Sequence, residues 1–254
     1  MNIVILTQND PFYLAENLAY LFSKIKKNIN ICGSVVFDVS PFGKKEKFYF
    51  KAKKTCDIFG FYFFMRYSWL YLKNKLDKNK NVFSVLKRHG IPIINLEEDI
   101  NSIKSIKEIR KYQPDLLISI AANRIFKKQI IELAPKGCLN LHTALLPKYR
   151  GLLPSFWVLK NNEEHTGVSV FFVDEGIDSG PILVQKTINI GDKTMEQLIK
   201  CTKKLGMDAV NEAIELIYLG EYKVIENDPS KSSYYTFPTK KDVKEFFQAG
   251  KKFF

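Results

Sequence analysis

Asn140 and His142 flank a single leucine where a strand-like run, Gly137–Leu141, gives way to a loop. In an extended chain alternate side chains share a face, so the amide and the imidazole point the same way. Open α/β sheets bind ligands at the carboxyl ends of their strands. A neutral amide beside an imidazole at such an end combines a donor for a developing oxyanion with a general base. A lone histidine is more often structural, so it is the pairing that points to chemistry.

A second cluster, Val173–Pro181, sets Asp174, Glu175 and Asp178 in a glycine-punctuated loop between two strand-like runs. Taken alone it reads as an acidic surface turn at least as well as a site. A calcium loop is disfavoured, because the alternation and terminal glutamate of an EF-hand are missing. His89 reads as a helix-end residue and His165 as part of a polar loop.

Both clusters need a scaffold, and apolar runs alternating with helical patterns predict one: a doubly wound, Rossmann-like α/β fold with a mainly parallel sheet. Strands are expected at Ile3–Leu6, Ile31–Val39, Ile91–Ile94, Leu116–Ile120, Gly137–Leu141, Gly167–Val173 and Ile182–Ile190. Helices are expected at Leu14–Ile25, Val82–Arg88, Ile103–Lys111 and Lys127–Leu133, and from a Thr194 cap to about Leu219. Phe48 to Leu76 carries one long aromatic helical pattern, and Leu145–Leu153 reads as a loop. The expected organisation is a catalytic domain over residues 1–219 and a short C-terminal appendage over 220–254, a hairpin or helix used for packing or dimerisation.

With 254 residues, 46% of them hydrophobic, the chain can bury a substantial core. Its four cysteines form no CxxC pair and sit near no histidine at metal spacing, which points away from a disulfide scaffold or zinc site and toward a reducing, cytoplasmic setting. The N-terminus lacks the pattern of a signal peptide. Ile58–Leu72 is intensely aromatic but short for a bilayer, with Arg66 in its middle. It reads as a buried or partner-covered helix, and no membrane span is expected. The net charge of +12 includes lysine runs at Lys24/Lys26/Lys27, Lys44/Lys45, Lys51/Lys53/Lys54 and Lys240/Lys241. Such a field favours an anionic partner, whether a nucleotide, a polyglutamylated cofactor or tRNA.

Read in order, NLHTALLPKYRG, HTGVSVFFV and DEGIDSGPILVQ resemble the signature of the folate-dependent formyltransferases. The resemblance is strong over Leu116–Gln185 and weaker from Met1 to Ile94. It implies transfer of a formyl group from 10-formyltetrahydrofolate to a primary amine, without a metal. Asn140 would hydrogen-bond the formyl oxygen, His142 would stabilise the oxyanion or move protons, and Asp178 would orient His142 and help deprotonate the amine. Arg124, Ile125 and Phe126 would contact the pterin, with Val173, Asp174, Glu175 and Ile177 as the opposite wall. Thr143-Ala144 departs from the Pro-Ser common in the family, which puts that loop, or a phosphate contact in it, in question.

The resemblance leaves three acceptor branches. The glycinamide ribonucleotide enzymes share a glycine-rich first turn, whereas this chain has Thr7-Gln8-Asn9-Asp10-Pro11. The methionyl-tRNA enzymes carry a C-terminal barrel for tRNA, for which the stretch after Gly220 is short. A nucleotide-linked amino sugar is therefore the expected acceptor, as in polysaccharide biosynthesis, with Asn9, Tyr149, Arg150 and Trp157 as its contacts and Tyr234 or Tyr235 as a further platform. A homodimer contact or core packing is the competing use for these aromatics. The alternatives are a methionyl-tRNA formyltransferase-like enzyme without the barrel, and a non-catalytic folate- or partner-binding homologue.

Overall fold

The computed structural model describes residues 1–39 and 48–254. The Lys44/Lys45 run lies outside the described residues, and so does the side chain of Lys51. In chain order the elements are β1 (Asn2–Gln8), α1 (Leu14–Lys24), β2 (Asn30–Phe37), α2 (Phe48–Phe59), α3 (Phe61–Lys75), α4 (Val82–Arg88), α5 (Ile103–Arg110), β3 (Leu116–Ile120), α6 (Lys128–Ile131), β4 (Cys138–His142), β5 (Arg150–Gly151), α7 (Pro154–Lys160), β6 (His165–Phe172), β7 (Ile182–Asn189), α8 (Met195–Leu219), β8 (Tyr234–Tyr235) and α9 (Lys240–Gln248).

The main sheet has the order β2-β1-β3-β4-β6-β7. Its first four strands are parallel, and β6 and β7 add to it antiparallel. Strands covered on both faces read as continuous apolar runs, which is why β1 and β3 showed no alternation. Alternation appears instead in where their side chains go. Ile3, Ile5, Leu116 and Ile118 pack with α1, α4 and α8 in one core cluster. Val4, Leu6 and Leu117 pack with α5 and α6 in a second cluster.

Helix α8 begins and ends where its cap residues direct. Thr194 Oγ1 accepts from the Gln197 amide while the Gln197 side chain accepts from the Thr194 amide, and Gly220 closes the helix in the left-handed conformation. The long aromatic pattern is two helices, not one. Gly60, at φ +90°, breaks it between α2 and α3 in a conformation that side chains resist. The strand expected at Ile91–Ile94 reduces to one isolated bridge, Ser34 to Ile93. Pro92 can accept from the Ser34 amide but has no N–H to donate, so no ladder extends through it. Helix α6 is a single turn, shorter than expected.

Residues after Gly220 are tied to the body. Strand β8 pairs in parallel with β5, the one regular element inside the expected Leu145–Leu153 loop. The amides of Met195 and Glu196 donate to the carbonyls of Lys252 and Phe253. Phe246 and Phe253 are buried with Phe156, Trp157, Phe59 and Phe63 in a third cluster.

Candidate active site

Strand β4 ends beside β3 on one side and antiparallel β6 on the other, with Asn140 opposite Ser119 and Phe171, and His142 opposite Ser169. The pleat sends Asn140 and His142 to the same side, into a cavity of about 600 Å³. His142 is buried, and its Nε2 lies 2.7 Å from the Tyr149 carbonyl oxygen. A carbonyl can only accept, so Nε2 carries the hydrogen and Nδ1 is the nitrogen turned to the reaction space. Nδ1 lies 3.5 Å from Asp178 Oδ2.

Asp178 is held at its carboxylate and at its backbone. Its Oδ2 accepts from the Gly151 amide at 2.9 Å. The Asn227 side chain donates to the carbonyls of Asp178 and Gly180, each at 2.9 Å, and Arg150 Nη2 donates to Asn227 Oδ1 at 2.8 Å. The residue itself sits at φ +49°, a sparsely populated conformation that aspartate tolerates better than most side chains. Gly151 has no substitute here. At φ +96° an added Cβ would come within 2.2 Å of the Tyr235 carbonyl oxygen. The loop between β4 and β5 is fixed by Ser169, whose hydroxyl donates to Ala144 O and accepts from the Leu146 amide. Thr143 and Ala144, the departure from the family pattern, thus belong to an ordered loop.

Arg124, Ile125 and Phe126 form one part of the cavity wall, and Val173, Asp174, Ile177 and Asp178 form another. Ala121 and Asn123 adopt positive φ just before the first part, and Asn123 Nδ2 donates to Gln8 Oε1, tying the ends of β3 and β1 together. Arg124 also stacks on Phe37. Glu175 is exposed and is not among the lining residues.

None of the four expected acceptor contacts lines the cavity. Tyr149 is buried; its hydroxyl donates to Glu163 and its ring stacks on Tyr235. Burial, then the Glu163 carboxylate, push its phenol pKa up. Trp157 is buried as well, stacked on Tyr235 and donating to the Thr236 carbonyl. Arg150 is spent on Asn227, and the Asn9 side chain accepts from the Val82 amide. The C-terminal segment covers Tyr149 and Trp157, while Asn9 and Arg150 stay half-buried.

Other residues take those places. Gln8 at the end of β1 and Asp10 just beyond it line the cavity, joined by Phe12 and Tyr13, by Phe63 and Tyr67 on α3, and by Lys203 on α8. The strand-end argument that singled out Asn140 extends to Gln8 and Asp10. Nothing local in the sequence marks Lys203 or Asn227. The Tyr13 and Tyr67 hydroxyls lie 3.5 Å apart, close enough for one to donate to the other, and burial raises both phenol pKa values. Among the described residues, no group of three or more His, Cys, Asp or Glu is arranged to hold a metal ion.

At the ends of the parallel strands, one cavity thus brings together an amide, an imidazole and a carboxylate 3.5 Å from the imidazole. Residues 71–214 match the family model described as Formyl transferase, which is more than half of the chain, and the chain belongs to that family. A methionyl-tRNA formyltransferase of Kosmotoga olearia is 37% identical over 163 residues, 64% of this chain and 52% of that protein. The chain therefore spans about half the length of the curated relatives it matches. Two solved structures share the fold. A phosphoribosylglycinamide formyltransferase from Anaplasma phagocytophilum has a TM-score of 0.65 at 14% identity, covering 94% of this chain and 99% of that one. An N-formyltransferase from Helicobacter canadensis, in complex with folinic acid and dTDP-3-aminofucose, has a TM-score of 0.60 at 19% identity, covering 97% and 79%.

Proposed function

We propose that this protein transfers a formyl group from 10-formyltetrahydrofolate to a primary amine at the end of β4. The observation that carries this reading is the convergence of Asn140, His142 and Asp178 on one cavity, with His142 Nδ1 3.5 Å from Asp178 Oδ2. The cavity volume, about 600 Å³, falls in the range that encloses a ligand the size of a pterin with its ring substituents. Arg124, Ile125 and Phe126 on one side and Val173, Asp174 and Ile177 on the other would hold the donor as a flat ring between two walls, with Glu175 at the outer edge. When bound, the donor supplies an activated formyl carbon.

The chain's residues then have distinct tasks. Asn140 donates from its amide to the formyl oxygen as negative charge grows there. His142 Nδ1 exchanges a proton with the attacking or leaving nitrogen, while the Nε2 bond to the Tyr149 carbonyl keeps the ring from turning. Asp178 balances the charge on the imidazole as that proton, lost by the attacking amine, passes to the leaving nitrogen of tetrahydrofolate and the formyl carbon's bond to that nitrogen breaks.

For the acceptor we propose a nucleotide-linked amino sugar. Asp10 lines the cavity at the turn after β1, and a carboxylate there opposes a phosphate group seated directly at that turn. The aromatic side of the cavity, with Phe12, Tyr13 and Tyr67, and Lys203 beyond it, suits a ring with an anionic tail. The likeness in fold to a protein crystallised with dTDP-3-aminofucose supports the same reading. A methionyl-tRNA acceptor is the second reading, favoured by the identity to the Kosmotoga olearia protein.

Thermal melting of the chain with folinic acid, followed by addition of a dTDP-amino sugar, glycinamide ribonucleotide or methionyl-tRNA, tests both halves. Stabilisation by folinic acid, increased by the dTDP-amino sugar above the other two, is expected. No shift with any folate overturns the donor. A larger effect of methionyl-tRNA transfers the acceptor to the second reading.

A further inference from the structure

Helix α3 has two apolar faces. One packs inward through Phe63 and Tyr67, against Phe253 and Phe254, and lines the cavity. The other is formed by Phe61, Met65, Trp69, Leu72 and, at the cap, Leu76, which are between 49% and 88% exposed. Their spacing of four, four, three and four places them in one stripe roughly 80° wide at a helical repeat. Scattered surface apolar residues need no explanation, but an aligned stripe of long side chains does.

The stripe has a charge setting. Phe61–Leu76 contains no acidic residue. Lys73 borders the stripe on one side, its ammonium 5.2 Å from the centre of the Trp69 ring, and Lys75 borders it on the other; both are exposed. Arg66, farther round, pairs with Glu196 and stacks on Phe254, which fixes the helix to the body. The chain as a whole has a net charge of +12. Among the described residues no helix is long and apolar enough to cross a membrane, so this one can only lie along a surface.

We propose that α3 docks on an anionic lipid surface, with Phe61, Met65, Trp69, Leu72 and Leu76 entering the headgroup boundary and the flanking lysines meeting lipid phosphates. A tryptophan beside a lysine at the edge of an apolar stripe suits that boundary, where one end of each side chain is apolar and the other wet. A second copy of the chain fits less well, because closing two stripes together would bring Lys73 and Lys75 of both copies into one interface. Docking this way sets the membrane on one side of α3 and the cavity on the other.

The test is sedimentation of the full chain with phosphatidylcholine vesicles, with and without about 30% phosphatidylglycerol, from about 0.1 M to about 0.5 M salt. Binding to the anionic vesicles should exceed binding to neutral ones by at least about tenfold and fall with salt. Trp69 emission should move to shorter wavelength, while Trp157, buried and bonded to Thr236, contributes a constant background. Phe61→Ser/Leu72→Ser and Lys73→Glu/Lys75→Glu, all at exposed positions, should each lower binding about tenfold or more with unchanged melting temperature. Absence of binding, or equal binding by the parent and both variants, overturns the proposal. So does a dimer in sedimentation velocity that Phe61→Ser/Leu72→Ser converts to monomer. None of these readouts depends on formyl transfer, so the two proposals fail separately.

Discussion

His142 Nδ1 lies 3.5 Å from Asp178 Oδ2, although one side chain ends a central strand and the other sits in the loop between β6 and β7. The same Asp178 oxygen accepts from the Gly151 amide, so a third segment fixes the distance. Asp178→Asn preserves shape and leaves an oxygen for Gly151 while removing the charge. Formyl transfer should fall by roughly 100-fold or more with little change in melting temperature. A loss of stability with unchanged turnover would make Asp178 a structural tie alone.

Gly151→Ala tests the tie from the other side. The added methyl would lie 2.2 Å from the Tyr235 carbonyl oxygen at a residue with φ +96°, so β5 and β8 must part. Stability should drop by about 2 kcal/mol or more, and activity should fall with it as Asp178 loses its amide. Denaturant unfolding and turnover, measured together, check this.

Tyr149 separates a packing role from a binding role. Its hydroxyl donates to Glu163 in a covered position away from the cavity lining. Tyr149→Phe should cost about 1 kcal/mol in unfolding free energy and leave KM for the acceptor unchanged. A raised KM would return Tyr149 to the acceptor site.

The Arg66–Glu196 pair that fastens α3 to α8 carries a pH signature. Burial raises the Glu196 carboxyl pKa, but Lys200 and Arg66 outweigh it and hold the group below its ordinary value. A carboxylate with a depressed folded-state pKa stabilises above its unfolded value, and that stabilisation is lost as pH falls through the folded one. Glu196→Gln should therefore melt below the parent above about pH 5, and the difference should shrink as pH falls through the acid range below the ordinary carboxyl value. A difference constant across that range would assign the effect to packing.

Much of the scaffold was legible because its signals are local. The Thr194 capping box and Gly220 mark both ends of α8, and the apolar runs of β1 and β3 mark a doubly covered sheet. Asn140 and His142 could be read because strand alternation and the strand-end position need no tertiary knowledge. Tyr149 and Trp157 were left between two uses for the opposite reason: whether an aromatic ring is a platform or a core residue depends on what covers it. Here the cover comes from Tyr235 and Thr236, far along the chain. Asn227 and Lys203 gave no local sign, since each acts through a long-range approach to the site. The break at Gly60 was visible as a residue, but the aromatic periodicity on both sides masked it.

If the end of β4 is an oxyanion site, Asn140→Ala removes its donor. Single-turnover formyl transfer from 10-formyltetrahydrofolate to a dTDP-amino sugar should slow by about 100-fold or more, with the parent's melting temperature and folinic acid binding retained. Near-parental turnover by Asn140→Ala would contradict the account.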